Sequence, residues 1–383
     1  MSRNGERPAR ILHLHSTFSA GGKELRCVQL INAFGPGIEH HIVSAVPERM
    51  EAAELISRRI SVTYPQDFPP LQGKPWPGRL HRIARAMRGY DLVLTYNWGA
   101  MDAAMAHALL GQHLSLPPLI HHEDGFNEDE RGRLKTSRNW FRRIGLSRAS
   151  QLVVPSETLE KIALETWQIP MSRVKNIPNG IDTAAFARPP RGNALPGLRK
   201  EVTDRWVGTL AGLRKVKNLP ALVRAFATLP EPWKLVIVGD GPEAETIRAE
   251  AERLGLAGRV HLPGFARDPA KFVGLFDIFA LSSDTEQFPI SVVEAMAAGK
   301  PVVAPAVGDI ANMVSEENAP LIAPAGDETA IGARLEKLAS DETLRLSVGA
   351  ANRAKAAAEF DEKQMIETYR RLYASAMGRA NLS

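Results

Sequence analysis

The chain has 383 residues, 44% of them hydrophobic and 24% charged, a composition that suits two globular domains, each with its own core. No window approaches the roughly 18 apolar residues of a membrane-spanning helix, and the single cysteine, Cys27, excludes an internal disulfide and a cysteine-based zinc cluster. The net charge of +5 is uneven, with 24 Lys and Arg against 18 Asp and Glu in residues 1–190 and 24 against 25 beyond, so the basic half needs an anionic partner.

The opening MSRNGERPARILHLHS is charged and lacks the apolar core of a secretory signal, from which a reducing, cytoplasmic setting is expected. ARILHLHS (9–16) predicts a buried strand, followed by a Gly-rich turn at Ser19–Gly22 and a helix through KELRCVQLINAF. HHIVSAV (40–46), RISVTY (59–64), YDLVLTY (90–96), PLIHHEDG (118–125) and QLVVPS (151–156) predict further strands. Short apolar runs separated by helix-length segments imply parallel strands with helical crossovers. The stretch ARPPRGNALPGLRK (187–200) has little periodicity and reads as a linker.

The alternation then restarts. VGTLAG (207–212), WKLVIVGDG (233–241), RVHLPGF (259–265), FDIFALSS (276–283) and KPVVAPAVG (300–308) predict strands, and the chain is largely helical from Asp327. The expectation is an α/β chain of two doubly wound, Rossmann-like domains facing a central cleft. The N-terminal one takes 1–187, a linker 188–200, and the C-terminal one 201–361, with a last helix at about 362–383 packing back on the first. In such sheets ligands sit at the carboxyl ends of strands, so those loops are where chemistry is sought.

The sharpest signal is SSDTEQFPISVVEAMAAGKPVVAP (282–305). Glu286 and Glu294 are separated by seven residues, and Pro289 stands where a helix can begin. Glu286 then lies in a strand-to-helix loop and Glu294 in the helix. The first amides of that helix, near Ile290 and Ser291, favour phosphate oxygens. Both carboxylates can accept hydrogen bonds from sugar or ribose hydroxyls. A pair of solvated helix-end glutamates is the plainer reading of the spacing alone.

With its surroundings this segment resembles the Glu-x7-Glu signature of retaining GT-B glycosyltransferases, specifically glycosyltransferase family 4. IPNGIDTAAF (177–186), VGTLAGLRKVKN (207–218), KLVIVGDGP (234–242) and VHLPGF (260–265) resemble that family's other landmarks in order and spacing. The resemblance covers nearly the whole chain. It implies a retaining, metal-independent hexosyltransferase that needs no cofactor and takes its sugar from a UDP- or GDP-linked donor. The acceptor would be a glycan or lipid-diphosphate, in surface polysaccharide or lipopolysaccharide assembly.

The resemblance also implies roles. Arg214 and Lys217 would grip the donor diphosphate, the first as a planar bidentate donor and the second as a point charge. Lys215 reads as an ordinary surface residue. Glu286 would contact the transferred sugar and Glu294 the ribose, with Phe288, Pro289, Ile290 and Ser291 completing the donor cradle. Gln287 stands where many relatives have Gly. Gly239 and Asp240 look like a phosphate loop or a tight turn, and the base would rest near Gly264 and Phe265. In the first half, Gly21 and Gly22 would lie beside the diphosphate, while Glu24 reads equally as a helix-dipole residue. A histidine after the fifth strand would contact the sugar. Alternation places only one of His121 and His122 towards the cleft, and His122 is preferred. Glu123 and Asp124 could assist the acceptor, although loop carboxylates are more often solvated.

ERGRLKTSRNWFRRIGLSR (130–148) carries seven cations around Trp140 and Phe141. It reads either as a helix on an anionic membrane surface, at the inner face of the cytoplasmic membrane, or as a solvated face with two aromatics docked in the core. No zinc finger, RNP-type motif or Lys-rich tail is present, so no nucleic-acid partner is expected. The rival readings are a nucleotide-sugar epimerase of the same architecture and a catalytically silent sugar-nucleotide-binding module.

Overall fold

The computed structural model describes residues 7–126, 130 and 134–382. The chain divides into two compact units, Met1–Pro178 with Met365–Ser383, and Asn179–Gln364.

The first unit is built on strands β1 (Ala9–His15), β2 (Ile38–Ser44), β3 (Ser61–Thr63), β4 (Leu92–Tyr96), β5 (Leu119–His122), β6 (Gln151–Val154) and β7 (Val174–Asn176). They form one seven-stranded sheet in the order β3-β2-β1-β4-β5-β6-β7, parallel at every pairing. The connecting helices are α1 (Gly22–Phe34), α2 (Pro77–Ala86), α3 (Met101–Leu114), α4 (Thr136–Gly145) and α5 (Glu157–Glu165). All five residues of β4 are buried and so are all four of β5, as expected of central strands covered by helices on both faces. Ser156 fixes the start of α5 by accepting a hydrogen bond from the Leu159 amide at 3.2 Å.

The second unit opens with the short α6 (Thr183–Phe186), capped by Asp182. It continues through β8 (Arg205–Leu210), α7 (Leu219–Phe226), β9 (Trp233–Val238), α8 (Ala244–Arg253), β10 (Val260–Gly264) and β11 (Ile278–Ala280). Then come α9 (Ile290–Ala297), β12 (Val302–Pro305), α10 (Ile310–Met313), β13 (Ile322–Ala323), α11 (Glu328–Ser340) and α12 (Glu342–Glu359). Six parallel strands run in the order β10-β9-β8-β11-β12-β13. Residues 179–187 pack within this unit: Ile181 bridges Asp361, and the Thr183 hydroxyl donates to Asp361 at 2.6 Å. Gly208 in β8 is required by packing, since a Cβ there would lie 2.1 Å from the Phe276 ring.

The last helix, α13 (Glu362–Ala376), belongs to the first unit from Met365 onward. Its Tyr369 and Tyr373 are buried with Phe34 and Tyr96 in the core below α1. Among the described residues no helix is long and apolar enough to cross a membrane.

Candidate functional site

In each sheet the strand order reverses once, between β1 and β4 in the first unit and between β8 and β11 in the second. The loops that leave such neighbouring strands diverge and open a crevice, which is where open α/β sheets bind ligands.

In the second unit the loops after β8 and β11 carry the sequence-selected residues. A single 3-10 turn, Lys215–Lys217, follows β8, and Asn218 after it takes a left-handed conformation with φ 45°. Lys217 Nζ donates to Glu286 Oε1 at 2.5 Å, and the Ser283 hydroxyl donates to the same oxygen at 2.7 Å. Three further bonds staple the loops together. The Ser282 hydroxyl donates to the Lys217 carbonyl (3.0 Å), the Asp284 amide to the Val216 carbonyl (2.9 Å), and Asn218 Nδ2 to Asp284 Oδ1 (2.9 Å). Glu286 is thus fixed in a loop, and α9 starts at Ile290 with Pro289 as its N-cap residue. Gly308 braces the same loop from behind: its φ is +58°, and a Cβ would meet the Glu286 carbonyl at 2.4 Å.

Arg214 is exposed, and so is Lys215. Glu294 sits one turn into α9, and burial raises its carboxyl to about 7. That value leaves the group poised between acceptor-only and donor-acceptor forms at neutral pH.

Gly239 is required for a steric reason. With φ +150°, a Cβ would lie 1.9 Å from the Ala211 carbonyl oxygen, and its amide donates to Gly264 at 3.0 Å. Of the two readings of Gly239-Asp240, the tight turn therefore has a direct structural cause. Asp240 is exposed and accepts from the Gly241 amide at 2.8 Å. Gly264, at φ +87°, ends β10, and Phe265 is 73% exposed next to it. Phe288 is half-buried, edge-on to Phe360 at 5.7 Å.

In the first unit Gly21 is the N-cap residue of α1 and Gly22 its first residue. A Cβ at Gly22 would meet nothing within 4 Å, so the unit's own packing does not demand glycine there. Glu24 is buried and ion-paired with Lys23, with the Thr17 hydroxyl 3.4 Å away, which is more than a helix-dipole role requires. A cavity of about 740 Å³ opens at the sheet's reversal, lined by Ser16, Lys23, Asn97, Trp98, Gly99 and Arg138 among others. Gly99 lets the loops after β1 and β4 touch, since a Cβ would sit 2.0 Å from that of Ser16.

The histidine expectation needs correction. Neither ring faces outward: His121 and His122 are both fully buried, because β5 is covered on both faces. His122 lies 2.9 Å from the Tyr373 hydroxyl through Nε2 and 3.4 Å from the Thr95 carbonyl through Nδ1. Burial and the nearby Arg26 push its pKa well below the usual histidine value. His121 Nδ1 pairs with the Thr95 hydroxyl at 2.8 Å. Glu123 and Asp124 are not solvated either. Glu123 is fully buried against Arg142 (3.0 Å), and Asp124 is held in a two-point ion pair by Arg26, with one contact at 2.9 Å.

In the 130–148 segment the two aromatics part company. Phe141 packs on Trp98, with ring centroids 5.5 Å apart, whereas Trp140 is 55% exposed under the Arg143 guanidinium. Arg142 departs from the basic stripe altogether: it is fully buried, bonded to Glu123 and Glu130, with the Trp98, Phe126 and Trp167 rings about it. Arg131 and Arg133 lie outside the described residues.

Sequence reading missed the staples, Ser282, Ser283, Asp284 and Asn218, and the buried pairs Arg26–Asp124 and Arg142–Glu123. The Ser-Ser-Asp run directly after an apolar strand was the available signal for the first group. Nothing in the sequence marks Arg142 apart from its cationic neighbours.

Comparison with known proteins agrees with this architecture. The family described as Glycosyltransferase Family 4 matches residues 20–185, and Glycosyl transferases group 1 matches residues 193–355. The N-acetyl-alpha-D-glucosaminyl L-malate synthase of Bacillus anthracis is 25% identical over 72% of this chain and 71% of its own length. The putative glycosyltransferase EpsF of Bacillus subtilis is 32% identical over 44% of this chain and 47% of its own. The lipopolysaccharide core biosynthesis glycosyltransferase LpsD of Rhizobium meliloti is 28% identical over 42% and 46%. The chain thus spans about half the length of the last two. Among solved structures, Anabaena HepE in complex with UDP has a TM-score of 0.79 at 21% identity, covering 96% of this chain and all of its own. WaaG, a glycosyltransferase of lipopolysaccharide biosynthesis, has a TM-score of 0.66 at 16% identity, covering 95% and 99%. The two parallel-sheet units, the paired family matches and these relatives together assign the chain to the GT-B glycosyltransferases of family 4.

Proposed function

We propose that this glycosyltransferase moves a hexose-type sugar from a UDP- or GDP-sugar to a glycan or lipid-linked acceptor, with retention of configuration and without a catalytic metal. The observation that carries the reading is the Lys217–Glu286 ion pair at the β8/β11 reversal, beside the first amides of α9. A cation, a carboxylate and free helix amides within one crevice suit a ligand that joins a diphosphate to a polyol.

In this reading Arg214 and Lys217 neutralise the leaving diphosphate, Glu286 accepts a hydrogen bond from the transferred sugar, and Glu294 accepts from the ribose hydroxyls. The Ile290 and Ser291 amides complete the cradle, with Gly239, Asp240, Gly264, Phe265, Phe288 and Pro289 around it. The acceptor hydroxyl attacks the anomeric carbon on the face the diphosphate leaves, and the departing phosphate oxygen takes its proton. The protein supplies positioning and charge stabilisation rather than a covalent intermediate. Gly21 and Gly22 leave room for a ligand beside α1. A UDP-linked donor is favoured by the UDP complex of HepE, and a role in surface polysaccharide assembly by the names of LpsD and of the putative colanic acid transferase WcaL of Escherichia coli. Exposed Trp140 with Arg143 supports contact with an anionic membrane face at the inner side of the cytoplasmic membrane.

The test is release of free nucleoside diphosphate from a panel of UDP-, GDP- and ADP-sugars in EDTA, with and without membrane-lipid extract. Release from one donor that rises with lipid is expected. Tight donor binding with no release under any acceptor would overturn the reading in favour of an epimerase or a silent binding module.

A further inference from the structure

The first unit also buries a group of nitrogen and sulfur donors that sugar transfer does not use. His13 and His15 are two residues apart on β1 and share one face of the sheet, and Cys27 comes from α1. One donor atom from each lies within 4.8 Å of the others, and all three side chains are buried. His13 Nδ1 is 3.5 Å from Cys27 Sγ. Two ligands of one tetrahedral zinc ion stand about that far apart, given Zn–S near 2.3 Å and Zn–N near 2.0–2.1 Å.

The surroundings point the donors inward. His13 Nε2 lies 3.0 Å from His40 Nδ1. A proton on Nε2 donated to His40 leaves the Nδ1 lone pair facing the thiol, which is the outer hydrogen bond that metal-bound histidines make. His15 is fully buried, and neither of its ring nitrogens has a partner among the described residues. Its plane is fixed by stacking on Tyr96 (3.9 Å between centroids) and edge contact with Phe18 (4.9 Å). Burying two unpaired polar atoms is unfavourable, and coordination would satisfy one of them. The Tyr96 hydroxyl, 3.2 Å from His13 Nδ1 and 3.5 Å from Cys27 Sγ, stands beside the same atoms.

We propose that His13, His15 and Cys27 bind one structural Zn2+ inside the first unit, the thiol losing its proton to solvent as the Zn–S bond forms. The lone cysteine excludes a multi-cysteine cluster, but one thiolate suffices when two histidines share its site. Because the group is sealed, the ion enters as the chain folds and is not exchanged from the folded protein.

The experiment uses the untagged full chain from zinc- and cobalt-supplemented cultures, dialysed against EDTA before metal analysis. One zinc per chain is expected, released to a chromophoric chelator only on unfolding. The cobalt form should carry a near-ultraviolet thiolate-to-cobalt charge-transfer band. Cys27→Ser and His15→Phe should lose the band and at least tenfold of the retained metal, and His40→Phe should lower retention about 10–100-fold through the outer hydrogen bond. Folded wild-type protein with less than about a tenth of an equivalent of zinc and no cobalt–thiolate band would overturn the proposal, as would equal metal in Cys27→Ser. The wild-type measurements decide even where a variant fails to fold.

Discussion

Lys217 Nζ and Glu286 Oε1 are 2.5 Å apart, an ion pair that ties the loop after β8 to the loop after β11. In the proposed function a donor diphosphate would therefore have to share Lys217 with Glu286 or displace Glu286. If Lys217 stabilises charge on the leaving group, Lys217→Ala lowers turnover about 10²–10³-fold, the usual effect of removing one preorganised donor. The change should leave the far-ultraviolet circular dichroism unaltered. Turnover at the wild-type rate in the folded variant would remove Lys217 from the mechanism.

Gly239 separates a folding requirement from a binding one. Its positive φ and the 1.9 Å approach a Cβ would make to the Ala211 carbonyl oxygen force the β8 and β9 loops apart on substitution. Gly239→Ala should destabilise the fold by about 1–3 kcal/mol, the usual range for strain at such a position, measured by urea denaturation. Gly22→Ala, with nothing within 4 Å, should leave stability nearly unchanged and affect only ligand binding. Equal destabilisation by the two would contradict this distinction.

The strands, the restart of the alternation after residue 200 and the segment from Glu286 to Glu294 were legible because each rests on local pattern: short apolar runs, a Pro at a helix start, carboxylates at fixed spacing. What was not legible depends on both faces of a strand being covered. Alternation alone sends one of His121 and His122 outward, yet helices pack on both sides of β5 and bury the two rings. Arg142 reads as one more cation on a basic helix, and only the fold reveals two carboxylates waiting for it. Lys217 and Glu286 were named separately, but the staples that bring them together join residues 65 to 69 apart in sequence.

Arg142 joins Glu123 and Glu130, and all three side chains are fully buried. Removing the cation alone leaves two carboxylates without their partner, so Arg142→Met should destabilise the protein by about 3–5 kcal/mol. Combining it with Glu123→Gln and Glu130→Gln removes the stranded charges and should recover much of that loss, since a buried ion network is often replaceable by neutral groups. Chemical denaturation of the single and triple variants checks this. A triple variant less stable than Arg142→Met would mean that the carboxylates stabilise the fold independently of the arginine.

Glu294 makes the chain's pH dependence readable. Burial raises its carboxyl to about 7, above the ordinary value of 4.5. A carboxylate whose pKa rises on folding adds stability that is fully present below the unfolded pKa and is lost as pH climbs through about 7. Relative to the protonated form, the ionised group costs on the order of 3 kcal/mol. Glu294→Gln should therefore raise the melting temperature by more at pH 8.5 than at pH 5.5. Donor binding runs the other way, because the ionised form is the better acceptor for two ribose hydroxyls. Affinity for a nucleotide-sugar, whose diphosphate does not titrate in this range, should be full above about pH 7 and fall up to tenfold per unit below it. In Glu294→Gln that affinity should be weak and flat with pH. Calorimetric titrations of both proteins between pH 5.5 and 8.5 measure each effect, and an unaltered pH profile in the variant would place the titrating group elsewhere.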